Sequence, residues 1–189
     1  FLLGAGKDTV VINAGSALTG DADTVVNGGG GTTDVIKLTT AQVIDLKTST
    51  VTGFETLWHD VAGTGAISFN EATMGQLTTL TAKAGRALGV TVAGNGGVSA
   101  LDLSAQTQTA AVGTYAIGYT VDNAADVIKG STVGAAVDTF TIATGSTNFT
   151  GGASLNLVGG AGTDLLNITG TGVVDLTAST FATIESLTL

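Results

Sequence analysis

Cysteine and proline are both missing from this 189-residue chain. Without cysteine there is no disulfide framework, and no thiolate to bind a metal or attack a substrate. Without proline, nothing removes the N–H donors that long strand ladders need. Histidine occurs once, at His59, so the usual zinc ligand sets cannot be assembled. Bases are scarce as well: six Lys and Arg stand against fifteen acids, giving a net charge of −9. Such a chain is repelled by a polyanionic duplex or membrane face, so no nucleic-acid partner is expected. No apolar run is long enough to cross a bilayer, so membrane insertion is not expected either.

Other residue types are abundant. Glycine reaches 29 residues, Thr and Val are frequent, and 43% of the chain is apolar. That apolar share is too high for a disordered low-complexity segment. Thr and Val suit strands and Gly suits corners, so many short strands joined by tight turns are expected. The acids are nearly all Asp, with Glu only at positions 55, 71 and 185. Asp is both a turn residue and a hard oxygen ligand, which fits loops that hold a divalent cation.

Shifted by 130 residues, positions 1–59 lie on positions 131–189 without a gap. Nineteen of the 59 pairs are identical, against roughly six expected for so biased a composition. Gly4, Ala5, Asp8, Thr9 and Ile12 fall on Gly134, Ala135, Asp138, Thr139 and Ile142. Gly29, Gly30, Thr33 and Asp34 fall on Gly159, Gly160, Thr163 and Asp164, and Glu55 and Leu57 fall on Glu185 and Leu187. The two segments read as copies of the same part of one 130-residue repeat. The start at Phe1 and the apolar finish Ile184 to Leu189 read as a piece of a longer chain. Short apolar runs recur about every ten residues, several alternating apolar and polar as in Leu101-Asp102-Leu103. The repeat and the lack of proline predict an all-β, right-handed parallel β-solenoid of two or three strands per coil, forming a single segment over 1–189. A β-sandwich is the alternative. A short helix within 70–85 is weakly signalled, because Gly75 and Thr78-Thr79 oppose it.

The stretch Gly159 to Asn167 reads GGAGTDLLN and matches G-G-x-G-x-D-x-U-x at every fixed position, with Leu166 as the large apolar residue. The match resembles the RTX repeat of calcium-binding β-rolls. The resemblance implies that Gly159, Gly160 and Gly162 turn main-chain carbonyls inward, that Asp164 adds a carboxylate, and that adjacent turns share calcium. Looser versions occur around Asp8, around Gly29, Gly30 and Asp34, around Asp138, and around Asp126. Asp8 and Asp34 are 26 residues apart, as are Asp138 and Asp164. If one coil takes that length, each pair stacks and could hold an ion, with Asp21 and Asp23 as further ligands. The simpler reading is a set of glycine turns whose Asp side chains accept backbone N–H groups.

The order of these corners, followed by the strand Val173 to Thr177 and by Ile184 to Leu189, resembles repeat-rich bacterial surface proteins of the S-layer and giant-adhesin type. First-copy counterparts are Gly29 to Asp34, Val43 to Lys47 and Phe54 to Leu57. That resemblance implies secretion by a one-step exporter, calcium-dependent folding, an extracellular place on the bacterial surface, and self-association into a lattice or rod. Cell-surface polysaccharide or lipopolysaccharide is a further implied partner.

Nothing else points to catalysis. His59 has no nucleophile-elbow motif beside it and lies outside the shared unit. Glu55 and Glu185 are expected on solvated strand faces. Gly28 to Gly31 leads into Thr-Thr-Asp and a strand, so it is no phosphate loop. Thr-x-Thr pairs at Thr48, Thr107, Thr139 and Thr169 are expected to point outward. A structural, non-enzymatic role is therefore expected. The alternatives are a ligand-binding or ice-binding adhesin module and, behind it, a polysaccharide lyase or epimerase, which the scattering of Lys and Arg opposes.

Overall fold

A computed structural model of the chain describes residues 1–13, 24–61, 63–108, 114–132, 136–143, 149–150 and 152–189. The first strands are β1 (Thr9–Ile12), β2 (Val25–Asn27), β3 (Val35–Leu38), β4 (Val43–Leu46), β5 (Thr50–Thr52), β6 (Thr56–His59) and β7 (Gly65–Asn70). One helical turn, α1 (Glu71–Met74), follows. Then come β8 (Thr79–Ala82), β9 (Ala87–Ala93), β10 (Ala100–Asp102), β11 (Thr107–Gln108), β12 (Thr114–Val121) and β13 (Val127–Lys129). The last are β14 (Val137–Ala143), β15 (Asn156–Val158), β16 (Leu165–Thr169), β17 (Thr180–Ala182) and β18 (Ser186–Thr188).

Every described pairing of these strands is parallel, as in β1 with β3, β7 with β9 and β14 with β16. The chain is thus a β-solenoid of about seven turns, not a sandwich of hairpins. One face is the sheet β1-β3-β6-β8-β11. A second, of seven strands, runs β18-β16-β14-β12-β9-β7-β4. The third face is split into β2-β5 and β10-β13-β15-β17, with α1 between them. Thr73 Oγ1 donates to Val51 O at 3.1 Å, and Gly53 N–H donates to Gln76 Oε1 at 2.8 Å, so side chains join α1 to the coil below. Asn70 caps the turn by accepting the N–H of Thr73.

Coil length varies with the turns. The step is 26 residues from Asp8 to Asp34, 21 from Asp34 to Glu55, and 28 from Thr79 to Thr107. Within the strands, alternate side chains enter the core. In β7 the inward set is Gly65, Ile67 and Phe69; in β12 it is Tyr115, Ile117, Tyr119 and Val121. The interior column holds Phe54, Phe69, Phe140 and Phe149, all nearly sealed from solvent, and Tyr119 stacks on Phe140 with centroids 4.9 Å apart. Thr107 and Thr139 fall on different faces, so the Thr-x-Thr pairs do not form one ladder.

Candidate functional site

The Gly-Asp corners stack along the solenoid axis. The N–H of Asp8 donates to Asp34 Oδ1 at 2.7 Å, and the N–H of Asp34 donates to Glu55 Oε2 at 2.9 Å. The second copy repeats this rail: Asp138 N–H donates to Asp164 Oδ1 at 2.8 Å, and Asp164 N–H to Glu185 Oε2 at 2.7 Å. Return bonds lock each step. The N–H groups of Glu55 and Thr56 donate to Asp34 O, and those of Glu185 and Ser186 donate to Asp164 O, all at 3.0–3.2 Å. The return bonds are neutral main-chain bonds, whereas an N–H donated to an ionised carboxylate, as along the rail, makes a bond about twice as strong. Asp138 and Asp164 therefore do stack, but carboxylate meets backbone N–H rather than a second carboxylate. Glu55 and Glu185 are not simply solvated side chains: each ends a rail. Their identity between copies, 21 residues beyond each Asp, was the signal for it.

Glycine is needed here because coils pass so closely. A Cβ on Gly159 would lie 2.0 Å from Thr183 O, one on Gly160 2.4 Å from Ser131 O, and one on Gly162 1.7 Å from Ala136 O. In the first copy the matching clashes are Gly28 with Gly53 O at 1.9 Å, Gly29 with Gly4 O at 2.0 Å, and Gly31 with Gly6 O at 2.2 Å. Gly30 meets nothing and takes the place of Ala161. The gapless alignment over this corner is therefore corrected by one residue. The first corner carries all three required glycines, Gly28, Gly29 and Gly31, and loops out one extra residue before Asp34. The left-handed φ of 94° at Gly29 and 108° at Gly160 marks the same equivalence.

The carboxylates are sealed. Asp34, Asp126, Asp138 and Asp164 have no exposed surface. Asp34 Oδ2, Asp164 Oδ2 and Asp8 Oδ2 are buried without a hydrogen-bond partner. Asp138 is satisfied on both oxygens, accepting from Tyr119 Oη at 3.3 Å and from the N–H of Ser131 at 2.8 Å. Burial pushes its carboxyl up to about 8, and the neighbouring Asp164 adds to the rise. Burial also raises Asp164, with the donated N–H of Asp138 opposing it.

No family model, curated protein or solved structure matches the chain.

The donor chemistry at the corners fits calcium in kind. An orphaned carboxylate oxygen and a main-chain carbonyl flank the same point at two corners. At Gly159 they are Asp164 Oδ2 and Thr183 O; at Gly31 they are Asp34 Oδ2 and Gly6 O. Among the described residues no three His, Cys, Asp or Glu side chains converge. An ion here would rely on one carboxylate plus carbonyls. Asp164, Asp34 and Asp8 retain an oxygen for it. Asp138 does not, and neither does Asp126, which accepts the N–H groups of Ser99, Asp122 and Asn123 and works as a turn cap. Asp21 and Asp23 lie outside the described residues.

Two features away from the corners were hard to read in the sequence. His59 points into the core, fully buried, with neither ring nitrogen hydrogen-bonded, and burial lowers its pKa. Two of the bases scattered along the chain, Lys37 and Lys83, meet in space. Lys37 lies 4.0 Å from the Trp58 ring centroid, and Lys37 and Lys83 both pair with Asp60, at 2.8 and 3.3 Å.

Proposed function

We propose that this chain is a structural, non-enzymatic segment of a secreted bacterial cell-surface protein of the S-layer type, stiffened by calcium at its Gly-Asp corners. The observation that carries the reading is the twice-built rail of stacked Gly-Asp corners, each carboxylate accepting the neighbouring corner's N–H, with one buried, unpartnered oxygen on each of Asp34 and Asp164. An ionised oxygen sealed without a partner costs several kcal/mol, and a divalent cation is the natural partner for it. Parallel ladders with tight corners make a stiff element suited to a rod or a lattice. Self-association through sheet faces or strand edges would extend it. Its place is extracellular, on the cell surface.

Thermal unfolding tests the calcium part. Saturating calcium raises the midpoint over chelator, by about 2.7 kcal/mol of stability at a hundred times Kd, and magnesium at the same concentration does less. Asp164→Asn and Asp34→Asn each reduce the response. Equal midpoints in calcium and chelator would remove calcium from the account.

A further inference from the structure

The outer face of the sheet β1-β3-β6-β8-β11 carries a groove of about 400 Å³, lined by Lys7, Thr9, Thr56, Trp58, Thr79 and Thr81 among others. The register places its side chains in two axial rows. Thr9, Val35, Thr56, Thr79 and Thr107 form one; Val11, Lys37, Trp58 and Thr81 form the other. Trp58 is the only tryptophan of the chain and is 38% exposed, although its neighbours in β6 at 57 and 59 are sealed in the core. Three of the six bases, Lys7, Lys37 and Lys83, stand at this face, and Asp60 is the acid they share it with. In a chain of net charge −9 that is a local reversal of sign.

We propose that this groove binds an acidic polysaccharide, a chain of sugars bearing carboxylates, laid along the solenoid axis. An indole offers a flat apolar surface for the C–H face of a sugar ring. The Lys37 ammonium lies over one face of Trp58, 4.0 Å from the ring centroid, so a sugar would take the face that Lys37 leaves. Thr56 and Thr79 are register partners on adjacent coils, whose strands lie about 4.8 Å apart, close to the length of one sugar in a chain, and the Thr79 hydroxyl meets that of Thr107 at 3.3 Å. Successive sugars therefore meet successive coils, with Trp58 beside one of them and Thr56, Thr79 and Thr81 beside it and its neighbour. Lys7 supplies positive charge for a uronate carboxylate, and Lys37 and Lys83, two bases sharing the one acid Asp60, leave a further surplus of positive charge beside it. Neutral sugars would find the platform and the hydroxyls but no use for the bases. This site goes beyond the structural role proposed above and does not depend on it.

The single tryptophan makes the test direct. Short galacturonic-acid oligomers are titrated into the chain at one fixed low calcium concentration while Trp58 fluorescence is followed, with neutral maltose oligomers as the comparison. A saturable change is expected with the acidic oligomers alone, weakened several-fold by added salt. Calorimetry then follows two variants whose melting is checked first. Trp58→Ala is expected to bind at least tenfold more weakly, and Lys7→Gln severalfold more weakly. No saturable signal, equal binding of neutral oligomers, or undiminished binding by both variants would overturn the proposal. Each of these readouts is separate from the calcium shift in melting, so one reading can fail while the other stands.

Discussion

In residues 1–59 the rail Asp8–Asp34–Glu55 lies beneath the coils built by residues 60–129, whereas in residues 131–189 the rail Asp138–Asp164–Glu185 runs to the last strand, β18. The consequence is visible in the side chains that follow. Val51 and Leu57 are buried, at 3% and 0% exposure, while their counterparts Phe181 and Leu187 are 39% and 59% exposed. The outer faces differ too: Lys7, Lys37 and Trp58 become Val137, Asn167 and Thr188. Yet the rail bonds agree within 0.2 Å between the copies. Corner geometry is thus set by the few residues of the corner itself, because it survives two different surroundings. Burial belongs to the stack, and the chemistry of the outer face varies independently of both.

The hardest test of that equivalence lies in the glycines. Gly162→Ala and Gly31→Ala each force a Cβ onto a carbonyl of the adjacent coil, and each is expected to cost about 3 kcal/mol or more in urea unfolding. Gly30→Ala, one residue away, changes stability by no more than about 0.5 kcal/mol. A large loss at Gly30 would break the one-residue correction between the copies.

Two buried groups, one in each copy, titrate with opposite signs. The folded chain holds the Asp138 proton up to about pH 8, while an unfolded aspartate releases it near 3.8. Stability from this group is therefore complete below pH 3.8 and is lost as pH rises toward 8. His59 has the opposite sign, because its folded pKa lies below 6.5. Its contribution is complete above 6.5 and is lost as pH falls. Each limb has a slope of up to ~1.4 kcal/mol per pH unit. In chelator, Asp138→Asn should remove the fall in stability between pH 3.8 and about 8, and His59→Leu the loss below 6.5, as measured by denaturant unfolding across pH. If either substitution left its limb unchanged, the group would not be the titrating one.

The smallest expected effect is at the ends of the rails. Glu55→Ala and Glu185→Ala each leave an Asp N–H without its acceptor, for a loss of about 1–3 kcal/mol. The two glutamates accept the same bond, at 2.9 and 2.7 Å, so the two losses are expected to agree within about 0.5 kcal/mol. Clearly unequal losses in parallel unfolding curves would contradict the equivalence of the two rails.

Much of this was legible in the chain. Period-two alternation, the 130-residue repeat and the missing proline lead to a parallel solenoid, because each reflects a local demand of strands and corners. The 26-residue spacing of the Asp pairs correctly foretold their stacking. The atoms that would meet were not legible, since a spacing does not say whether a carboxylate faces another carboxylate or an amide. Nor was the extra residue in the first corner, because the gapless register keeps Asp34 on Asp164 and hides the shift as a single mismatch among the motif's fixed positions, Thr32 against Gly162. The gathering of Lys7, Lys37 and Lys83 was hidden for a different reason. Residues one coil apart are more than twenty positions apart in sequence, and varying coil lengths erase any simple period. His59 looked incidental beside Trp58, yet strand alternation sends one into the core and the other into solvent.

The single turn α1 has a mechanical consequence. Two faces of the solenoid are laced by main-chain bonds from coil to coil. On the third face, at Glu71–Met74, the lacing to the coil below is done by the side chains of Asn70, Thr73 and Gln76. A pull that pries the coils apart meets its weakest seam there. The solenoid is expected to open first on that side, bending like a hinge before the other two faces tear.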